Sequence, residues 1–197
     1  MERDGIHIRK SLMKVMISAI FIIMLPDKLY AQVSLSTNAI EWATTTINAG
    51  VEYAFDREYS LMLDGMINPW NFHDEKHFHL WMTRMEVRRW WKEPKQGHFA
   101  GLHVLGGQYN VKNIDLPFGM LPETLEGRHY EGWMIGLGAS YGYRWILSDN
   151  WTAEASLGLG YVYSPYKLYG RCARVLDKHN RNYVGPTRIA VSIAYAF

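Results

Sequence analysis

The chain has 197 residues, 48% of them apolar and 14% aromatic: a length for one domain of ordinary size and a composition that excludes a disordered or fibrous protein. Its formal charge of +2 sits in the first 31 residues, which hold five of the 21 Lys/Arg and three of the 19 Asp/Glu, leaving sixteen of each in the remainder. That balance provides no global basic field, so nucleic acid is not an expected partner.

The first segment has the three parts of a secretory signal. Arg3, Arg9, Lys10 and Lys14 precede the apolar run Val15 to Leu25, and Leu29-Tyr30-Ala31 precedes Gln32. The run is ended by Pro26 and Asp27, well short of the roughly 20 residues that a spanning helix requires. The expected domains are a signal peptide over residues 1–31, cleaved after Ala31, and a mature part over 32–197 exported through the Sec pathway. No cysteine follows the apolar run to carry a lipid. Cys172 is the only cysteine, so no intrachain disulfide can form and a lone loop thiol is expected.

Beyond Gln32 no stretch is apolar enough for a membrane helix, yet the chain alternates with period two over long runs rich in Trp, Tyr and Gly, the repeated signal of a membrane barrel strand. Eight strands are predicted, at about 33 to 43, 47 to 55, 59 to 69, 78 to 92, 98 to 110, 130 to 147, 151 to 163 and 183 to 197. A tight connection near Thr44-Thr45-Thr46 joins the first two. Asp56-Arg57-Glu58, Glu93 to Gly97 and Ser148-Asn150 are short polar turns, alternating with longer segments at 70 to 77, 111 to 129 and 164 to 182. The expected fold is all-β: an eight-stranded antiparallel transmembrane barrel of the cell outer membrane, with both termini and the three short turns in the periplasm.

The faces follow from the alternation. In the sixth strand Trp133, Ile135, Leu137, Ala139, Tyr141, Tyr143 and Trp145 oppose Gly136, Gly138, Ser140, Gly142 and Arg144, with aromatics at both ends where interfacial girdles belong. In the seventh, Trp151, Leu157, Leu159, Tyr161 and Tyr163 oppose Glu154, Ser156, Gly158 and Gly160. In the last, Ile189, Val191, Ile193, Tyr195 and Phe197 oppose Arg188, Ala190, Ser192, Ala194 and Ala196. Tyr195 and the terminal Phe197 look like the carboxy-terminal signal read by the outer-membrane barrel assembly machinery. The strand 98–110 alternates poorly, and its faces stay unassigned.

A barrel of eight strands has room only for its own side chains or one small ligand, which disfavours a general diffusion pore. Glu52, Asp64, Arg84, Glu86, Arg88, Arg144, Glu154 and Arg188 fall on the inward faces and mix both signs. Paired, they form a structural plug, since buried charges must be compensated. The same residues could instead line a path for protons or a small solute. Seven histidines, His73, His77, His79, His98, His103, His129 and His179, invite an enzymatic reading as lipid-modifying acyl chemistry, but no spacing joins one to a nucleophile. His73, Asp74, Glu75, His77 and His79 could bind a metal or form a solvated loop, and no metal, cofactor or catalytic residue is assigned. Arg171, Arg174, Lys178 and Arg181 make the last loop basic, suited to lipid phosphates, an acidic partner or simple solubility. In the third long loop Leu116, Pro117 and Phe118 form an apolar tip that marks an interaction site, unless Phe118 and Met120 fold back over the barrel mouth.

Asn68-Pro69-Trp70, Gly106-Gly107-Gln108-Tyr109-Asn110, Leu116-Pro117-Phe118-Gly119, Tyr130-Glu131-Gly132-Trp133, Tyr141-Gly142-Tyr143-Arg144-Trp145 and Tyr183-Val184-Gly185-Pro186-Thr187 together carry a resemblance over nearly all of the mature chain. The chain resembles a family of uncharacterised small outer-membrane proteins of Gram-negative anaerobes, a domain of unknown function. The resemblance implies a barrel associated with fimbria-type surface genes, and brings no catalytic residues. Relatives can carry paired cysteines in the final loop, where this chain has Cys172 alone. The expected role is non-enzymatic: a barrel in outer-membrane lipid whose loops, through Leu116, Phe118, Met120, Arg171 and Arg174, contact another surface protein.

Overall fold

The computed structural model describes residues 33–72, 76–92, 96–112, 129–169 and 175–197. Period-two runs of β-branched and aromatic residues build the strands β1 (Val33–Asn38), β2 (Ile47–Ala54), β3 (Tyr59–Phe72), β4 (Lys76–Trp90), β5 (Gly97–Lys112), β6 (His129–Ile146), β7 (Trp151–Tyr169) and β8 (Val175–Ala196). Each strand pairs antiparallel with the next, and β8 returns to β1 with Leu35 opposite Tyr195, closing the sheet into a barrel. Closure removes the free edges that an open sheet would present.

Three features differ from the sequence reading. Residues 39–43 are not strand: β1 stops at Asn38, and Ala39–Ala43 form a single helical turn, α1. The Asn38 carboxamide oxygen accepts from the backbone of Ile40 at 3.1 Å and from that of Val191 at 3.1 Å, while its nitrogen donates to the Ile189 carbonyl at 3.3 Å. One side chain thus caps the helix and continues the β1–β8 ladder beyond the end of β1. The connection then passes through Thr45, whose φ of 58° is left-handed.

Much of the expected loop 164–182 is strand, since β7 runs to Tyr169 and β8 starts at Val175. Pro165, which lacks an N–H to donate, lies within β7 and does not end it. Nearby, the Ser164 hydroxyl donates to the Trp133 carbonyl at 3.1 Å. The faces of β5 are also resolved: Phe99, His103, Leu105 and Tyr109 are buried inside, and Leu102 and Val104 are exposed outside. Its alternation is hard to read because both faces are apolar.

The exterior is apolar and the interior is not uniformly so. Leu63, Met85, Val87, Leu102, Val104, Leu137, Leu159 and Val191 are exposed, Leu102 at 71%. Outward aromatics bracket this belt. Trp91, Tyr141, Tyr143, Trp145, Trp151, Tyr195 and Phe197 lie at the end bearing the termini, linked by ring contacts such as Trp151–Tyr195 at 5.1 Å. Trp81, Trp133 and Tyr163 lie toward the far end, with Trp133 and Tyr163 in contact at 6.0 Å. Inside, the far half packs Phe78, Leu80, Met82, Leu105, Tyr109, Val111, Met134, Val162 and Tyr183, while charged groups fill the half nearer the termini.

Candidate functional site

All eight charged residues that alternation directs inward meet inside the barrel, seven of them buried and Asp64 partly so. β4 contributes Arg84, Glu86 and Arg88 at successive inward positions, and β2, β3, β6, β7 and β8 contribute Glu52, Asp64, Arg144, Glu154 and Arg188. Four guanidinium groups face four carboxylates, so the set is neutral.

Arg88 is the hub and is fully buried. Its Nη1 and Nη2 fork onto the two Glu154 oxygens at 3.0 and 3.2 Å, its Nε reaches Glu86 Oε1 at 3.2 Å, and Nη1 also lies 3.4 Å from Glu52. Arg144 crosses to Glu52 Oε2 at 2.6 Å and to Glu154 Oε2, with its Nε on the same oxygen at 3.1 Å. Arg188 binds Asp64 at 2.9 Å, Glu86 Oε2 at 3.1 Å and the Ser156 hydroxyl at 3.0 Å. Arg84 completes the chain of pairs at Asp64, 3.3 Å away. Planar forks hold carboxylates at two points, which suits arginine rather than lysine here.

Residues that sequence reasoning did not single out finish the arrangement. Ser60 donates to Glu52 and Ser140 to Glu86, each at 2.6 Å, and the Trp90 indole donates to the Ser60 hydroxyl at 2.9 Å. The Arg88 guanidinium lies 4.5 Å from the Phe99 ring centre and that of Arg144 lies 4.8 Å from Trp90. Trp90 and Phe99, 4.8 Å apart, therefore line the buried cluster with aromatic faces that favour cations. Inward parity of Trp90 and Ser60 was available in the sequence; that of Phe99 was hidden in β5. His103 is buried with its Nε2 2.9 Å from the Thr187 hydroxyl. A loop carboxylate joins from above: burial pushes the Glu41 carboxyl of α1 above its ordinary range, against the opposing pull of Asn38 and Arg84.

The network occupies the half of the interior nearer the termini. Among the described residues, no group of three His, Cys, Asp or Glu is placed to hold a metal. Tyr195 stands at the closing seam, paired with Leu35 and Trp151, and the Phe197 backbone donates to the Val33 carbonyl at 3.2 Å. Leu116, Phe118, Met120, Arg171, Arg174, Cys172, His73, Asp74 and Glu75 lie outside the described residues.

A closed ring of eight antiparallel strands with an apolar exterior and an ion-paired interior defines the class. The chain belongs to the family described as protein of unknown function, DUF3575, whose model matches residues 15–197. No curated protein and no solved structure matches it.

Proposed function

We propose that the mature chain is a β-barrel of a bacterial outer membrane, plugged by its own charges and without catalytic chemistry, whose far-end loops anchor or contact another surface component during assembly of a surface appendage such as a fimbria. The observation that carries the membrane reading is the reversal of ordinary polarity. Soluble monomers rarely expose contiguous apolar patches beyond a few hundred Å². This chain exposes an apolar belt all round and buries arginine and glutamate. Trp133 and Trp145 on β6 are about 12 residues apart, roughly 30 Å along the axis of a tilted strand, close to the apolar height of outer-membrane barrels. Lipid facing the belt removes the cost of exposing it to water, while the plug keeps the charges away from lipid.

The binding role draws on the long connections at one end and the apolar Leu116-Pro117-Phe118 tip among them. Photo-crosslinking from position 118 in cells tests it. A specific adduct with one surface protein is the expected result, and no adduct from 116, 118, 120, 171 or 174 overturns it.

A further inference from the structure

The seam that closes the barrel is short. β8 runs for 22 residues and β1 for 6, and the two pair only from Ser34↔Ala196 to Asn38↔Ser192. Just beyond, the Asn38 side chain donates to the Ile189 carbonyl and the chain turns into α1. β2 is short as well, so its pairing with β3 stops at Ile47↔Ile67. Among the described residues, therefore, β8 from Pro186 back towards its start pairs with β7 alone.

The two flanks of this notch are not alike. On the β3 side the Thr44–Thr46 turn provides cover: Asn68 donates to the Thr46 hydroxyl at 3.0 Å and the Trp70 indole to the Thr45 carbonyl at 2.6 Å. On the β8 side the cover is one side chain, the Tyr183 hydroxyl donating to the Pro186 carbonyl at 3.2 Å. Pro186 has no N–H to donate, which fits a residue whose backbone polar atoms face the notch rather than β7. By alternation, the N–H and C=O groups of Val184 and Asn182 face the notch too. No described strand takes them, and Val184 is 81% exposed, more than Leu102 in the middle of the belt.

This edge lies within the apolar belt, since Pro186 stands opposite Leu159 and Val184 opposite Tyr161. Hydrocarbon offers backbone groups no partner, so lipid cannot satisfy the edge. The backbone of another extended chain can. The berth is apolar on both faces. Outward it borders the belt. Inward it borders Tyr183, whose hydroxyl lies 2.4 Å from where a Cβ on Gly185 would sit and which packs in the buried cluster with Phe78, Leu80 and Tyr109.

We propose that the β8 edge from Pro186 to Asn180 is a docking site for an extended segment of another protein, apolar on both faces and free of proline. The segment adds to the sheet antiparallel to β8, in the place that β1 leaves when it turns into α1, and is the contact with a surface partner read above, resting on that membrane-barrel reading. A second copy does not fit the place. Related by an axis along the membrane normal, its tilted β8 crosses the first at roughly 70–90° instead of running along it, and its β3 flank is already covered.

The test uses the full mature protein, purified from outer membranes in detergent micelles, and two fluorescent peptides. One is a short apolar stretch of valine and leucine flanked by lysine pairs; the other is the same peptide N-methylated throughout that stretch. Fluorescence anisotropy reads binding. The plain peptide should bind, and the methylated one, as apolar but without N–H groups, should bind about tenfold more weakly or worse. Val184→Pro removes one edge N–H that holds no strand in the free protein, so it should keep the fold and weaken the plain peptide about tenfold. Val184→Ala keeps that N–H and should stay within about twofold of the parent. A photo-reactive residue at Val184 should crosslink the peptide, and one at Val104 on β5 should not. Equal binding of the two peptides, or full binding by folded Val184→Pro, overturns the proposal. So does a crosslink from Val184, without peptide, to the protein's own chain or to a second copy, since either already fills the edge. Gel mobility with and without boiling separates the failures: a parent that does not shift sinks the membrane reading, whereas a normal shift without peptide binding sinks this inference alone.

Discussion

Arg88 grips Glu154 by a two-point fork, 3.0 and 3.2 Å, across the interior from β4 to β7. The pair is buried at both ends, so its charges depend on each other and on Arg144, Glu52 and Glu86. Burial makes the fork costly to break from one side. Glu154→Gln should lower unfolding stability by about 3–5 kcal/mol, because two guanidinium groups lose their shared carboxylate. Urea titration of folded protein in detergent, read by tryptophan fluorescence, checks this. The double variant Arg88→Met/Glu154→Leu should lose less than the sum of the single changes.

Glycines in the barrel wall differ in what they permit. A Cβ at Gly101 would fall 2.3 Å from Glu86 Oε1 and 2.7 Å from the Ser140 hydroxyl, displacing the hydrogen bond between them. Gly101→Ala should therefore destabilise by about 1–3 kcal/mol. Gly106→Ala, where an added Cβ would meet only the Met134 carbonyl at an ordinary 3.8 Å, should be neutral or slightly stabilising in the same titration. Equal effects at the two positions would argue against the interior arrangement.

Glu41 predicts a pH dependence with a definite sign. Its carboxyl is raised in the folded state, so the stability it contributes is present below the unfolded carboxylate value and is lost as pH rises through the folded one. Glu41→Gln should be more stable than the parent at neutral pH, with the difference closing in acid. Midpoints of thermal unfolding in detergent at pH 7 and pH 4 measure it.

The filled interior predicts silence in planar bilayers. The parent should give no conductance steps, and Arg88→Ala/Glu154→Ala should remain closed or show only small, irregular events, because Arg144, Arg188, Trp90 and Phe99 still occupy the section. Regular steps from the parent that change with Arg144→Glu would favour the solute path.

Strand number, alternation and the inward set were legible because period two is a property of the backbone. Glu52, Arg84, Arg88 and Arg188 needed only parity to be placed inside. The faces of β5 were not legible: Phe99, Leu105 and Tyr109 belong to an apolar interior layer, so both of its faces read as hydrophobic. Asn38 hid α1, since Ala-Ile-Glu-Trp-Ala alternates as well as any strand and only the cap to Ile40 distinguishes it. Who pairs with whom inside was also beyond parity. The fork from Arg88 to Glu154 depends on curvature that brings β4 and β7 face to face, and no local pattern encodes that distance.

The central claim is that the apolar belt faces lipid. The most direct measurement is membrane fractionation of cells making the precursor, followed by electrophoresis with and without boiling, beside Leu102→Arg and a version lacking Phe197. The account predicts an outer-membrane protein whose mobility shifts on boiling. Leu102→Arg should assemble poorly, since an arginine at the middle of the belt costs about 2–4 kcal/mol, and the truncation should assemble more weakly than the parent. A periplasmic, soluble protein with no mobility shift and normal yield of Leu102→Arg would contradict it.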